Sequence, residues 1–241
     1  MNLCRTVVSQ GLTLAVVFAT LTPGLAQPRV VFLGEQHTSA TDHKAQLDAL
    51  VRLKQQGPVV IVAEMFTERA AGELSDWNLG AGPADFGPEF WQKEWGHPQE
   101  LYSPIFGWAR KQKVAVQWLR PDPDHTKQVR EKGPATAVAR LDEVLIGPKS
   151  YRDFMAEIAR SHGHADQVDD AMIDRMFTVQ CYWDEFMAWR IADLAQAYPD
   201  HTLAVLVGDG HLRDGEGIPW RLRRRAPELE LEVLRGGHRR D

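Results

Sequence analysis

Two tetrads of the form Gly-x-x-His stand out for chemistry in this 241-residue chain: Gly34-Glu35-Gln36-His37 and Gly208-Asp209-Gly210-His211. Each follows directly on a short apolar run, residues 29–33 and 203–207. Glycine lets a chain turn tightly off a strand, and a His three residues on can point back over the strand end. Glu64 follows a third apolar run, 58–63, and Arg120-Pro121-Asp122 follows a fourth, 114–119. Imidazole and carboxylate together are the donors that a zinc-like or manganese-like ion accepts. His37 and His211, with Glu64 as third ligand, would leave a position open for water. The metal would lower the pKa of that water, and Glu35 or Glu64 would serve as general base. The competing reading is ordinary turn chemistry, since Gly and Asp are common after strands and His on surfaces.

These residues meet only if the runs are strands of one sheet. All four runs are short, rich in Val, Ile, Leu and Phe, and not alternating. That is the pattern of parallel strands covered on both faces. A fifth run, 229–234, alternates and reads as an edge strand. Helical patterns lie between them. Residues 41–56 carry Leu47, Leu50 and Val51 on one face and stop at Gly57-Pro58, and 101–113 precede the run at 114–119. The fold class is therefore α/β, with a mostly parallel central sheet flanked by helices. More than eighty residues separate the runs at 114–119 and 203–207. A crossover needs only one helix, so the excess, about 124–198, reads as an inserted helical cap over the C-terminal ends of the strands. Open parallel sheets bind ligands just outside those ends. His37 and His211 are then expected side by side, with Glu35 or Glu64 close.

The cap holds a second constellation, Gln180-Cys181-Tyr182-Trp183-Asp184. Gln180 and Asp184 are four apart and share a helix face. Ser161-His162-Gly163-His164 lies upstream. Tyr or His can ligate haem iron, and a haem pocket otherwise wants apolar and aromatic walls. Against this, Met172, Met176, Val179, Trp183, Met187 and Leu194 recur at helical spacing and read most simply as core. Arg221, Arg223, Arg224 and Arg225 suit a helix C-terminus, or could meet carboxylates.

Residues 1–26 read as an export signal, with Arg5 as the positive start, 12–21 as the apolar stretch and Ala26 at the cleavage point. The apolar stretch is too short for a bilayer, which needs about 20 residues. Cys4 precedes it and cannot be a lipoprotein cysteine. Removal of the leader leaves 27–241 as a single domain, soluble in the periplasm or secreted, with Cys181 alone and so no internal disulfide. The chain's net charge of −5 gives no support for nucleic-acid binding. No complete dinucleotide fingerprint, phosphate loop or Gly-x-Ser-x-Gly elbow occurs.

The order of Val31-Phe32-Leu33-Gly34-Glu35-Gln36-His37, Glu64-Met65-Phe66, Trp183-Asp184, Met187-Ala188, Gly208-Asp209-Gly210-His211 and Gly217-Ile218-Pro219 resembles the ChaN-like family, in a superfamily with the Tiki metalloproteases. The resemblance implies a bacterial envelope protein of haem or iron uptake. Haem would be held by tyrosine, with Tyr182, Tyr102 and Tyr151 as candidates and His162 and His164 behind them. An envelope haem-transport partner and a homodimer belong to the same expectation. The Tiki branch implies instead a metal-dependent hydrolase built on His37, His211 and Glu64. This chain departs from the family in lacking a lipoprotein cysteine after the leader. It also has Gln117-Trp118-Leu119-Arg120 where an Asn-containing segment is expected.

Overall fold

The computed structural model describes residues 29–134, 141, 143–162, 168–235 and 238–239. The expected leader, 1–26, and His164 lie outside the described residues; His162 lies in a helix, but its side chain also falls outside them.

All five apolar runs become strands: β1 (Arg29–Glu35), β2 (Val59–Thr67), β3 (Ala115–Arg120), β4 (Thr202–Gly208) and β5 (Glu230–Arg235). They are parallel, and a two-residue β6 (His238–Arg239) runs antiparallel to β5. The order across the sheet is β3-β2-β4-β1-β5-β6. β4 lies between β2 and β1, so the two tetrads leave adjacent strands, with Glu35 in register with Gly208. Among the described residues eight α-helices surround the sheet: α1 (Ala40–Gln56), α2 (Ala71–Asn78), α3 (Pro88–Glu94), α4 (Ser103–Lys111), α5 (Pro123–Lys132), α6 (Lys149–His162), α7 (Asp170–Ala197) and α8 (Ile218–Arg225).

Strand side chains alternate between faces. Val31, Leu33, Ile61, Ala63 and Leu206 pack with Leu50, Trp77 and Phe106 of α1, α2 and α4. Val30, Phe32, Val60, Val62 and Val205 pack with Met187, Ile191 and Leu194 of α7 and Leu222 of α8. Both faces are dry, which is why the runs carry no polar alternation. At the β3 edge, Asn78 of α2 closes the exposed backbone: Val116 N–H donates to its Oδ1 at 2.9 Å, and its Nδ2 donates to Val116 O at 3.0 Å.

Three sequence expectations need correction. Glu64 does not follow its strand but sits inside it, because β2 runs on to Thr67 with every residue buried. Its register against β3 shifts between Ala63 and Thr67, a bulge that re-aims side chains there. The strand at 229–234 is not the outermost described one, since β6 pairs on its far side. Third, α2 and α3 precede the helix expected at 101–113, in a stretch where no helix was expected.

The insertion resolves into α5, α6 and α7. At 28 residues, α7 is about 42 Å long, far longer than the strands it crosses. Its second half lies on the sheet. Its first half overhangs the strand ends with α6 and forms the cap. Among the described residues no helix is long and apolar enough to cross a membrane.

Candidate functional site

The C-terminal ends of β1, β2, β3 and β4 present Glu35, Glu64, Arg120 and Gly208. The turn after β1 is fixed locally. Gln36 N–H donates to Asp42 Oδ2 at 2.9 Å, and Ser39 caps α1 by accepting from Asp42 N–H at 3.2 Å. His43 Nε2–H donates to the carbonyl of His37 at 3.1 Å. His37 is thereby turned back over the sheet. A Cβ on Gly208 would lie 2.8 Å from His37 Cε1, so only glycine lets the ring rest on β4. The turn after β4 is held differently. Gly217 packs so close to His211 that a Cβ there would meet its carbonyl oxygen at 1.9 Å. This accounts for the glycine eight residues before Arg225 at the head of α8.

Each histidine is backed by a carboxylate, and each carboxylate by a tyrosine. His37 Nδ1 lies 3.0 Å from Glu35 Oε1, which also accepts from Tyr102 OH at 2.6 Å. Gln46 Nε2 donates to Glu35 Oε2 at 2.8 Å. His211 Nδ1 lies 2.6 Å from Asp184 Oδ1, and Asp184 Oδ2 is 2.9 Å from Tyr151 OH. Between the two imidazoles stands Glu64. Its Oε2 accepts from Gly208 N–H at 2.6 Å, and its Oε1 is 3.4 Å from His211 Nε2.

The two imidazoles differ in access and charge. His37 has 34 % of its side chain exposed and His211 only 8 %. Burial disfavours a charged His211, yet Glu64 on one side and Asp184 on the other raise its pKa to about 10. Burial likewise opposes ionisation of Glu64, but His211, His37 and the Gly208 N–H hold it down at about 2. At neutral pH the pair is therefore imidazolium and carboxylate. The pKa of His37 is also raised, by Glu35 and Glu64 against the cost of burial.

His37, His211, Glu35 and Glu64 thus come together, as expected. Among the described residues no group of three or more His, Cys, Asp or Glu is arranged to hold a metal ion. Glu35 is buried and accepts from three side chains.

The tyrosine candidates lie elsewhere than under an open cap. Tyr102, Tyr151 and Tyr182 are all fully buried. Tyr102 and Tyr151 are committed to Glu35 and Asp184, and burial beside those carboxylates raises both phenol pKa values. The Tyr182 hydroxyl has no hydrogen-bond partner, and burial raises its pKa too.

Two groups of residues were missed. Trp95 and His97, after α3, stand with His37 as a trio of rings whose centroids are 4.9–5.0 Å apart. Nothing short of the α3 turn itself would have placed them there. The second group lines an open cavity of about 510 Å³ between α5, α6 and α7. Its walls are Met155, Met172, Met176, Val179 and Trp183, with Arg130, Arg175 and Gln180. The methionine stripe is the signal that could have found it: Met187 and Leu194 are core, but Met172 is 40 % exposed. Gln180 and Trp183 belong to both places. The amide of Gln180 lies 3.0 Å from His211 Nδ1, and the Trp183 ring stacks over His211 at 6.1 Å and 9°.

Comparison with known proteins agrees with this architecture. The fold is similar to that of the ChaN protein of Campylobacter jejuni, solved with cofacially bound haem. That match has a TM-score of 0.65 at 13 % identity over 87 % of this chain and 81 % of the other. It is also similar to an erythromycin esterase, the EreC H289N mutant in its open conformation, with a TM-score of 0.52 at 15 % identity over 89 % and 71 %. No curated protein matches the sequence. The family profile described as haem-binding uptake, Tiki superfamily, ChaN matches residues 21–222. The chain belongs to that haem-binding uptake family of the Tiki superfamily.

Proposed function

We propose that this protein is an exported haem binder of haem or iron uptake, and that haem occupies the cavity between α5, α6 and α7. The observation that carries the reading is the lining of that cavity. Three methionines, a valine and an indole make an apolar wall for a flat ligand, and Arg130 and Arg175 stand with them. Neither guanidinium pairs with a carboxylate among the described residues, so both are free for ligand carboxylates. Thioethers of Met155, Met172 and Met176 are the iron donors within the lining. Tyr102 and Tyr151 would have to leave their carboxylate partners and ionise to serve instead. Bound haem supplies the iron and its macrocycle; the chain supplies the apolar walls and the positive rim. Delivery to an envelope transport partner, and pairing of two copies, belong to the same proposal. Titration of the purified protein with hemin is expected to give a saturable change in the Soret band. A purely linear, unsaturable response overturns the reading.

A second reading is favoured by the backed imidazoles at the strand ends. Glu35 orients His37 through Nδ1–H and leaves Nε2 as the base toward a water. His211, protonated between Glu64 and Asp184, has both N–H groups directed at those carboxylates and acts on the site by holding Glu64 in place. This is hydrolytic acid–base chemistry. The similarly folded erythromycin esterase makes an ester the substrate to try first. Ester turnover that survives chelator treatment and is lost in His37→Ala supports it; turnover unchanged in His37→Ala removes it.

A further inference from the structure

Arg120 ends β3 and reaches the strand-end site beside Glu64. Its guanidinium lies over the Trp95 ring at 4.9 Å and the Trp183 ring at 5.8 Å. One terminal nitrogen, Nη2, donates to the carbonyls of Met65, at 3.1 Å, and of Glu94. Those bonds fix the plane of the fork. They do not neutralise it, because both acceptors are uncharged. Among the described residues no carboxylate lies within ion-pair distance of Arg120. Glu64 and Glu94 act on it only at longer range, and both are already hydrogen-bonded, Glu64 to Gly208 N–H and Glu94 to Thr67.

A guanidinium immobilised by main-chain bonds and aromatic faces, but without an anion, is an uncommon use of a half-buried charge. Its five donors sit in a fork that matches planar or tetrahedral oxyanions. Nη1 is the terminal nitrogen that the two carbonyls leave uncommitted. The rings beneath it are Trp95 and Trp183, and His37 lies edge-on to Trp95.

We propose that Arg120 is the anion-recognising residue of the strand-end site, and that the ligand handled there carries a carboxylate or phosphate on an aromatic or otherwise flat body. This rests on the strand ends being a ligand site but not on turnover there. Loss of probe binding and absence of ester hydrolysis are therefore separate results.

The test uses the full chain with three probes: benzoate, phenyl phosphate and, as the neutral control, benzamide. Binding is followed by tryptophan fluorescence and by the NMR resonance of the Arg120 Nε–H. At least one anion is expected to saturate, with benzamide about tenfold weaker or worse. Which anion saturates tells whether the ligand's oxyanion is a carboxylate or a phosphate. Arg120→Met is expected to weaken the anion by about tenfold or more, and Arg120→Lys by less, since charge remains but the fork is lost. In the unaltered protein the Arg120 resonance should move along the same binding curve, which keeps the test open even if a variant misfolds. Failure of both anions to saturate overturns the proposal. So does Arg120→Met binding as tightly as the parent, or an Arg120 resonance that stays still while binding saturates.

Discussion

The strand-end site and the cap cavity share Gln180 and Trp183 but are built on opposite principles. At the strand ends the imidazoles and carboxylates are committed. Glu35 accepts from three side chains, and Asp184 holds both His211 and Tyr151. In the cavity the walls are soft thioethers, and two guanidiniums lack partners among the described residues. One helix, α7, serves both, sending Asp184 to the first and Met172, Met176 and Val179 to the second. A satisfied polar network fixes one geometry, whereas methionine adapts to what fills the space. The first region is suited to chemistry on a small group. The second is suited to capture of a large flat one.

That contrast predicts unequal sensitivity to mutation. Asp184→Ala should have the largest effect, because it leaves His211 and Tyr151 buried without their shared partner. A loss of about 3–5 kcal/mol is expected in urea denaturation. A loss under about 1 kcal/mol would mean the network is not what holds the strand ends.

The pH dependence of stability should come next. His211 has a folded pKa of about 10, above the ordinary value of 6.5. Its contribution is thus complete below pH 6.5 and disappears as pH rises through 10. Glu64 has the opposite sign: its folded pKa of about 2 lies below the ordinary 4.5, so its contribution is complete above pH 4.5 and disappears as pH falls through 2. The melting temperature should fall steadily from pH 6.5 toward 10. His211→Asn should flatten that alkaline fall, and an unchanged slope would assign it to other groups.

Met176→Ala should matter least. The side chain is half-buried on an open cavity that water can enter, so a cost of about 1 kcal/mol or less is expected in the same denaturation assay. A larger cost would make this wall part of the core, as the sequence pattern alone suggested.

Much of the polar site was legible before the fold was known. A short non-alternating apolar run marks a buried parallel strand, and the two Gly-x-x-His tetrads put both histidines past the ends of adjacent strands, although the tetrads are one residue out of register. Asp184 was visible as a helix-face partner of Gln180, but its pairing with His211 was not. The two are 27 residues apart, and their meeting depends on how far α7 overhangs the sheet. Periodicity gives a helix its faces and not its position along its axis. For the same reason the methionine stripe read as uniform core, although only its second half reaches the sheet. Residue type shows that a phenol can bind iron, not that its hydroxyl already serves a carboxylate, as those of Tyr102 and Tyr151 do. Trp95 and His97 were missed because α3 is only seven residues long and carries too few turns to show a period.

The measurement that tests the account most directly is a parallel hemin titration of the parent chain, Val179→Trp and His37→Ala. Val179 lines the cavity, and an indole there fills it while the bonds of His37, Glu35 and Glu64 lie outside its lining. The account predicts that His37→Ala binds hemin like the parent, whereas Val179→Trp binds about tenfold more weakly or worse. Hemin binding that survives Val179→Trp and is lost in His37→Ala would contradict it and move the haem to the strand ends.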